Sequence, residues 1–319
     1  MRPPVVRARS VGAAMTVDDR PVRVGLVVGD NLDLAVRADE LAVDSLWTGG
    51  HVASRNPSPE VMMSLARLSA VTNRVRLGTS VLLLPLYPPA IIAKQVADLD
   101  RATGGRLMLG VGVGGEYPQE FRACQVPLTE RGRRLDEAIG LLRRLWTGQE
   151  ISHDGRYYPM RDVRVHPAPA QAAGPPILVA GRTEPAMRRA AVLGDGWMPY
   201  LYSPRRYAAS VATIRAVADE AGRDLRQFDW CAFIFVNVDK DGSRARQEAA
   251  RSLGGTYDQD VRPLIDRVAA VGTPDEVTRR LRDFVAAGAR HLLFMPVAGT
   301  GDPGAVTRIL LEEILPDAF

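Results

Sequence analysis

Long apolar runs are missing from this 319-residue chain. The stretch Val81–Leu84 breaks within a few residues, far short of the roughly 20 that a spanning helix needs, so no membrane role is expected. Cysteine is nearly absent too. Cys124 and Cys231 are the only two, too few and too far apart for a disulfide framework, and a reducing cytoplasm is the expected compartment. Lysine is equally scarce, at positions 94 and 240 only, so arginine supplies nearly all the positive charge. The net charge is only +4 and aromatics make up 6%. The arginines alternate with acids, as in Glu130 to Glu137, and form no basic stripe interleaved with aromatics. Nucleic acid is therefore not an expected partner. What remains, 46% hydrophobic and 24% charged residues, is the profile of a folded domain rather than a disordered chain or a fibre.

Residues 1–20 contain arginines and two prolines without an apolar stretch and read as a disordered tail. From position 21 to 319 the chain alternates between short apolar runs and longer amphipathic ones. The strand candidates are Val22–Val28, Ser45–Thr48, Val75–Leu82, Leu107–Gly112, Ile177–Ala180, Gly196–Tyr200, Trp230–Val238 and His291–Val297. Continuous apolarity is the mark of parallel strands covered on both faces. Helical stripes lie between them, for example Leu135, Ile139, Leu142 and Trp146. Ser58-Pro59, Ser203-Pro204 and Thr273-Pro274-Asp275-Glu276 read as helix starts. About eight β-then-α units fit a doubly wound sheet or a (β/α)8 TIM barrel, and the count and length favour the α/β barrel. Residues 148–176 and 239–272 break the alternation and are expected to be insertions after the fourth and seventh units, a small hairpin in the first case.

Several residues have the chemistry for a site. Gly110, Gly112 and Gly115 fit G-x-G-x-x-G, but they follow the fourth strand, and Pro118 stands where a helix should be running. They read better as a place where backbone approaches a flat ligand. Ala180-Gly181-Arg182-Thr183 ends a strand and opens a helix, with N–H groups and a guanidinium suited to a phosphate; an ordinary capped junction is the alternative. His51 follows the end of the second strand and is a candidate acid or base or ligand hydrogen-bond donor, or a structural loop histidine. Tyr200, Trp230 and Phe235 are candidates for an apolar substrate wall. No histidine or cysteine has metal-ligand spacing, so no metal is expected. A nucleophile motif is likewise missing.

The runs Val75 to Pro85, Pro88 to Asp100, Gly104 to Gly114, Glu130 to Glu137 and Leu193 to Trp197, in this order, resemble the bacterial luciferase-like monooxygenase family. The resemblance spans about residues 22–315. It implies a barrel that binds FMN or the deazaflavin F420 at the C-terminal ends of its strands, with a cis peptide at Ser80–Val81. Gly50, Thr79, Ser80, Val81, Gly112, Val113, Gly114, Ala180, Gly181, Arg182 and Thr183 would then surround the cofactor, and His51 would be the catalytic residue. Related F420 enzymes often carry Asp-His where this chain has Gly50-His51, which removes the acid beside the histidine. The segment Gly112 to Glu116 lacks the arginine by which FMN-using relatives often hold phosphate. The pattern is closest to the F420-dependent oxidoreductase subgroup, implying hydride transfer to or from a small-molecule substrate. The alternatives are an FMN-dependent monooxygenase fed by a separate cofactor reductase, and a non-enzymatic flavin-binding protein. The resemblance also implies a homodimer.

Overall fold

The apolar runs become strands β1 (Arg23–Val27), β2 (Ser45–Thr48), β3 (Arg76–Thr79), β4 (Leu107–Val111), β5 (Ile151–His153), β6 (Met160–Val163), β7 (Ile177–Ala180), β8 (Gly196–Met198), β9 (Asp229–Val238), β10 (Ala269–Gly272) and β11 (His291–Pro296). This is a computed structural model, which describes residues 20–319 except 42, 56, 258, 259 and 300. The expected tail lies outside the described residues apart from Arg20, whose Nη2 donates to the Phe228 carbonyl at 2.9 Å. Strands β1, β2, β3, β4, β7, β8, β9 and β11 pair in parallel in that order and close on β1, giving the expected eight-stranded (β/α)8 barrel.

The two irregular stretches resolve into distinct structures. Strands β5 and β6 form the antiparallel hairpin between β4 and β7. Glu137 accepts backbone N–H bonds from Tyr157 and Tyr158 and so fastens this hairpin to the helix Arg131–Leu145. The second stretch holds the helix Gly242–Tyr257 and an unexpected strand, β10, which extends the C-terminal half of β9.

Two of the three helix starts match expectation. Ser203 accepts from the Arg206 amide, and Thr273 and Glu276 form a capping box. The third does not. The helix Val61–Val71 begins two residues later than Ser58-Pro59 predicts, capped by the Glu60 carboxylate. Ser58 has another role: its Oγ accepts from the His51 amide at 3.1 Å.

Side chains alternate in and out along each barrel strand. The outward set packs on the helices as one large core that includes Leu26, Leu46, Leu77, Leu109, Val179 and Ile234. The inward set is smaller: Trp47, Met108, Leu178, Met198, Cys231 and Leu293. Trp47 is fully buried in this inward set and dictates small neighbours. A Cβ on Gly78 would sit 2.3 Å from its ring, and one on Gly25 would sit 2.8 Å from its Nε1. Interiors are packed to crystal density, so neither glycine can be enlarged without moving the indole.

Candidate active site

Following the inward phase to the C-terminal ends of the strands divides the mouth of the barrel into two halves. On β2, β3, β4 and β7 the inward positions are Gly49, Ser80, Gly112 and Ala180. On β8, β9 and β11 they are Tyr200, Phe233 and Met295, all half-buried. One half is a cradle of small residues and the other an apolar wall. This asymmetry suits a flat cofactor on one side and a substrate on the other.

The cradle is built at close range. The Ser80–Val81 bond is cis, as the resemblance implies. A Cβ on Gly49 would lie 2.6 Å from the Ser80 carbonyl oxygen, and one on Gly112 would lie 2.8 Å from Val81 Cγ2. Thr79 donates from Oγ1 to the Gly110 carbonyl at 2.7 Å, tying β3 to β4 beside the cis peptide. Ser80 Oγ is buried and has no hydrogen-bond partner among the described residues, an open donor and acceptor facing the mouth. Gly114 adopts a φ of 61°, which lets the chain turn away beside Val113.

His51 stands at the edge of this cradle. A Cβ on Gly50 would collide with the Pro59 carbonyl at 2.0 Å, so the chain before His51 needs glycine to pass under that loop. The ring meets Tyr117 edge-on at 4.8 Å. Its Nδ1 lies 3.3 Å from Glu120 Oε2. Glu120 is fully buried while the His51 side chain is 28% exposed, so the carboxylate is hidden behind the ring that meets solvent. The acid missing at position 50 is thus supplied from the helix Pro118–Ala123. Sequence spacing could not reveal this partnership across 69 positions; the only hint was an acid beside Phe121 in a short helix directly after the glycine loop.

Across the mouth, Gly181, Arg182 and Thr183 lead into the helix Glu184–Leu193. Gly181 has a φ of 133°, a conformation that favours glycine. Thr183 is at the N-cap position, but its hydroxyl makes no capping bond, leaving the first-turn N–H groups available. The Arg182 guanidinium lies 4.7 Å from the centre of the Tyr200 ring. Tyr200 donates to Glu116 Oε1 at 3.0 Å. Burial first, then the Glu116 charge, pushes the Tyr200 phenol up to about 12 against the opposing pull of Arg182. Tyr200 is therefore a neutral hydrogen-bond donor at any physiological pH.

The three expected wall residues separate. Tyr200 joins the mouth. Phe235 points inward but is covered by Ala249, Ala250 and Leu253 of the helix Gly242–Tyr257. Trp230 points outward at the N-terminal end of β9, against Phe228, with Arg215 over its ring; it is core, and the structure does not bring it to the site. Phe233, missed by sequence reasoning, is the β9 aromatic left open to the mouth.

The opposite end of the barrel holds a second polar constellation. Ser45 Oγ lies 2.8 Å from His291 Nε2, and His291 Nδ1 lies 3.2 Å from Asp229 Oδ2. Trp47 Nε1 donates to the same Ser45 oxygen at 2.8 Å, and Arg23 pairs with Asp229 at 2.8 Å. Burial alone would raise the Asp229 carboxyl, but His291 and Arg23 outweigh it and hold the group down to about 2. Ser45 and His291 are each 1% exposed, so this Ser-His-Asp arrangement has no access for a substrate.

Comparison with known proteins agrees with this architecture. A family model described as luciferase-like monooxygenase matches residues 13–291. An F420-dependent glucose-6-phosphate dehydrogenase of Nakamurella multipartita is 32% identical over 315 residues, covering 89% of this chain and 91% of that protein. An uncharacterised protein of Mycobacterium tuberculosis is 38% identical over 167 residues, covering 52% of this chain; the chain spans only 57% of that relative's length. Among solved structures, monooxygenase RslO1 from Streptomyces bottropensis has a TM-score of 0.80 at 27% identity, over 92% of this chain and 99% of that one.

Proposed function

The chain belongs to the luciferase-like monooxygenase family, and from that premise we propose that it is an F420-dependent oxidoreductase acting on a small organic substrate. The observation that carries this reading is the divided mouth. Small inward residues from Gly49 to Ala180 face the apolar wall of Tyr200, Phe233 and Met295, with a histidine–carboxylate pair at the edge. Gly49, Ser80, Val81, Gly112 and Gly114 would hold the ring system, and Arg182 with the first-turn N–H groups of the next helix would hold its phosphate. F420 is favoured over FMN because the loop after β4, Gly112 to Glu116, lacks the arginine by which FMN-using relatives often hold phosphate, and because the Nakamurella relative bears an F420-dependent name. When bound, the cofactor supplies the hydride chemistry.

The chain's own residues supply orientation and a proton path. Glu120, accepting from Nδ1–H of His51, fixes the tautomer in which Nε2 carries the lone pair, so this ring can take a proton from a substrate hydroxyl or return one. A buried carboxylate also stabilises the imidazolium once it forms. Tyr200, held neutral, donates to Glu116, and with Phe233 it excludes water from the substrate half of the mouth.

The likeness to RslO1 supports a second reading, monooxygenation with reduced FMN. Anaerobic optical titration of the full chain with F420 and with FMN, each in oxidised and reduced form, separates the two. Saturable one-to-one binding of F420, with FMN weaker, is the expected result. Tight FMN binding without F420 binding would reject the proposal.

A further inference from the structure

At the N-terminal end of the barrel, away from the proposed active site, a cavity of about 340 Å³ opens on the axis. The phase that turns Gly25 and Gly78 inward also turns Arg23 and Arg76, the first residues of β1 and β3, into this space, where Arg20 and Arg290 join them. The cavity's acids are Asp195 and Asp229, and both are engaged. Asp229 holds Arg23 and His291. Asp195 holds Arg143 and Arg223 and accepts the Ile177 amide. Arg290 donates to the Val285 and Ala289 carbonyls, and Arg20 to that of Phe228.

Arg76 differs from its neighbours. Among the described residues nothing hydrogen-bonds its guanidinium or pairs with it. Burial and the adjacent Arg23 charge push its pKa down, with Asp229 and Asp100 opposing only through their field. Asp100 cannot turn to it, because its oxygens accept from Gln171 and from the Leu107 amide. A guanidinium stays protonated in proteins, and a largely buried charge without a counterion is costly.

We propose that this cavity is a binding site for a small oxyanion of the phosphate or carboxylate type, with Arg76 as its principal ligand and Arg23 and Arg20 in support. The planar fork of Arg76 suits two oxygens of one anion. The site is independent of the cofactor reading, since it lies at the other end of the barrel.

Thermal unfolding of the full chain tests it, with sodium phosphate or sodium succinate titrated against sodium chloride at matched ionic strength. A ligand that binds only the folded state raises the midpoint saturably. The expected result is a saturable rise with phosphate or succinate that chloride does not reproduce; whichever acts more strongly identifies the anion type. Arg76→Met should raise the half-saturating concentration about 10- to 100-fold, the range for losing a charge-assisted bond, and in oxyanion-free buffer should melt no lower than the parent. Arg182→Gln removes whatever phosphate the mouth holds and should leave intact the part of the rise that Arg76→Met abolishes. Should Arg76→Met not fold, Arg76→Lys, which keeps the charge but loses the fork, should weaken binding about tenfold. A rise equal to that in chloride, or one abolished by Arg182→Gln and kept in Arg76→Met, or unchanged affinity in Arg76→Lys, would overturn the proposal.

Discussion

Two histidine–carboxylate pairs of nearly equal length stand at opposite ends of one barrel. His291 and Asp229 are 3.2 Å apart at the floor, and His51 and Glu120 are 3.3 Å apart at the mouth. Exposure separates them. The floor ring is 1% exposed and the mouth ring 28%. At the floor every partner is itself bonded, through Arg23, Asp229, His291, Ser45 and Trp47 in a continuous chain. At the mouth the histidine ring is part-exposed, and Ser80 nearby has a hydroxyl without a partner among the described residues. The same pair of groups is built into the fold where its histidine is buried, and is placed for the proposed proton transfer where the ring meets solvent.

The largest expected difference is kinetic. His51→Ala should lower F420-linked turnover about 10²- to 10⁴-fold, as loss of a general acid or base does, while the midpoint of thermal unfolding barely moves. Turnover that survives His51→Ala would remove the distinction between the two ends.

The floor pair should behave in the opposite way. Asp229→Asn leaves the Arg23 charge without its buried partner and should cost roughly 3 kcal/mol of stability, with F420 affinity unchanged at temperatures where the variant is folded. The pH dependence follows from the sign of the shift. The Asp229 carboxyl titrates at about 2 when folded, below its ordinary 3.8. Its stabilisation is therefore complete above about pH 4 and is lost as pH falls towards 2. Urea unfolding of parent and variant across this range should show a constant stability gap above pH 4 that closes below it. A gap that widened on acidification would contradict the assignment.

The smallest effect sharpens the contrast. Ser80→Ala removes a buried hydroxyl with no partner among the described residues, so stability should stay within about 0.5 kcal/mol of the parent or rise slightly. F420 affinity should fall several-fold, as measured by optical titration. Ser45→Ala, which removes a satisfied hydroxyl at the floor, should do the reverse: a loss of about 1–2 kcal/mol at unchanged affinity.

Much of the scaffold was legible because parallel strands covered on both faces must be continuously apolar. All eight barrel strands fall within a few residues of their expected bounds, and the small hairpin lies in its expected segment. Direction within a strand was not legible. Along β9, Trp230 and Ile234 point out while Cys231, Phe233 and Phe235 point in, and since both sets are apolar no polarity contrast marks the phase. Trp230 thus read as a wall residue, and Phe233 was overlooked. Pairings across distant positions were hidden as well. Glu120 reaches His51 only because the chain after β4 folds back over β2, and Ser45, Asp229 and His291 meet only when the barrel closes. Ser58 gave a helix-start signal whose hydroxyl bonds the His51 amide instead, because Glu60 offered a competing cap closer to the apolar stripe.

The placement of the proposed cofactor on the small-residue half of the mouth can be read from the F420 affinity of Gly112→Val. A Cβ at this position would already lie 2.8 Å from Val81 Cγ2 and 3.9 Å from Ala180 Cβ, so a branched side chain must fill the cradle. This placement predicts a folded barrel by circular dichroism and F420 binding weakened at least about tenfold in anaerobic titration. A folded Gly112→Val protein that binds F420 as tightly as the parent would contradict it.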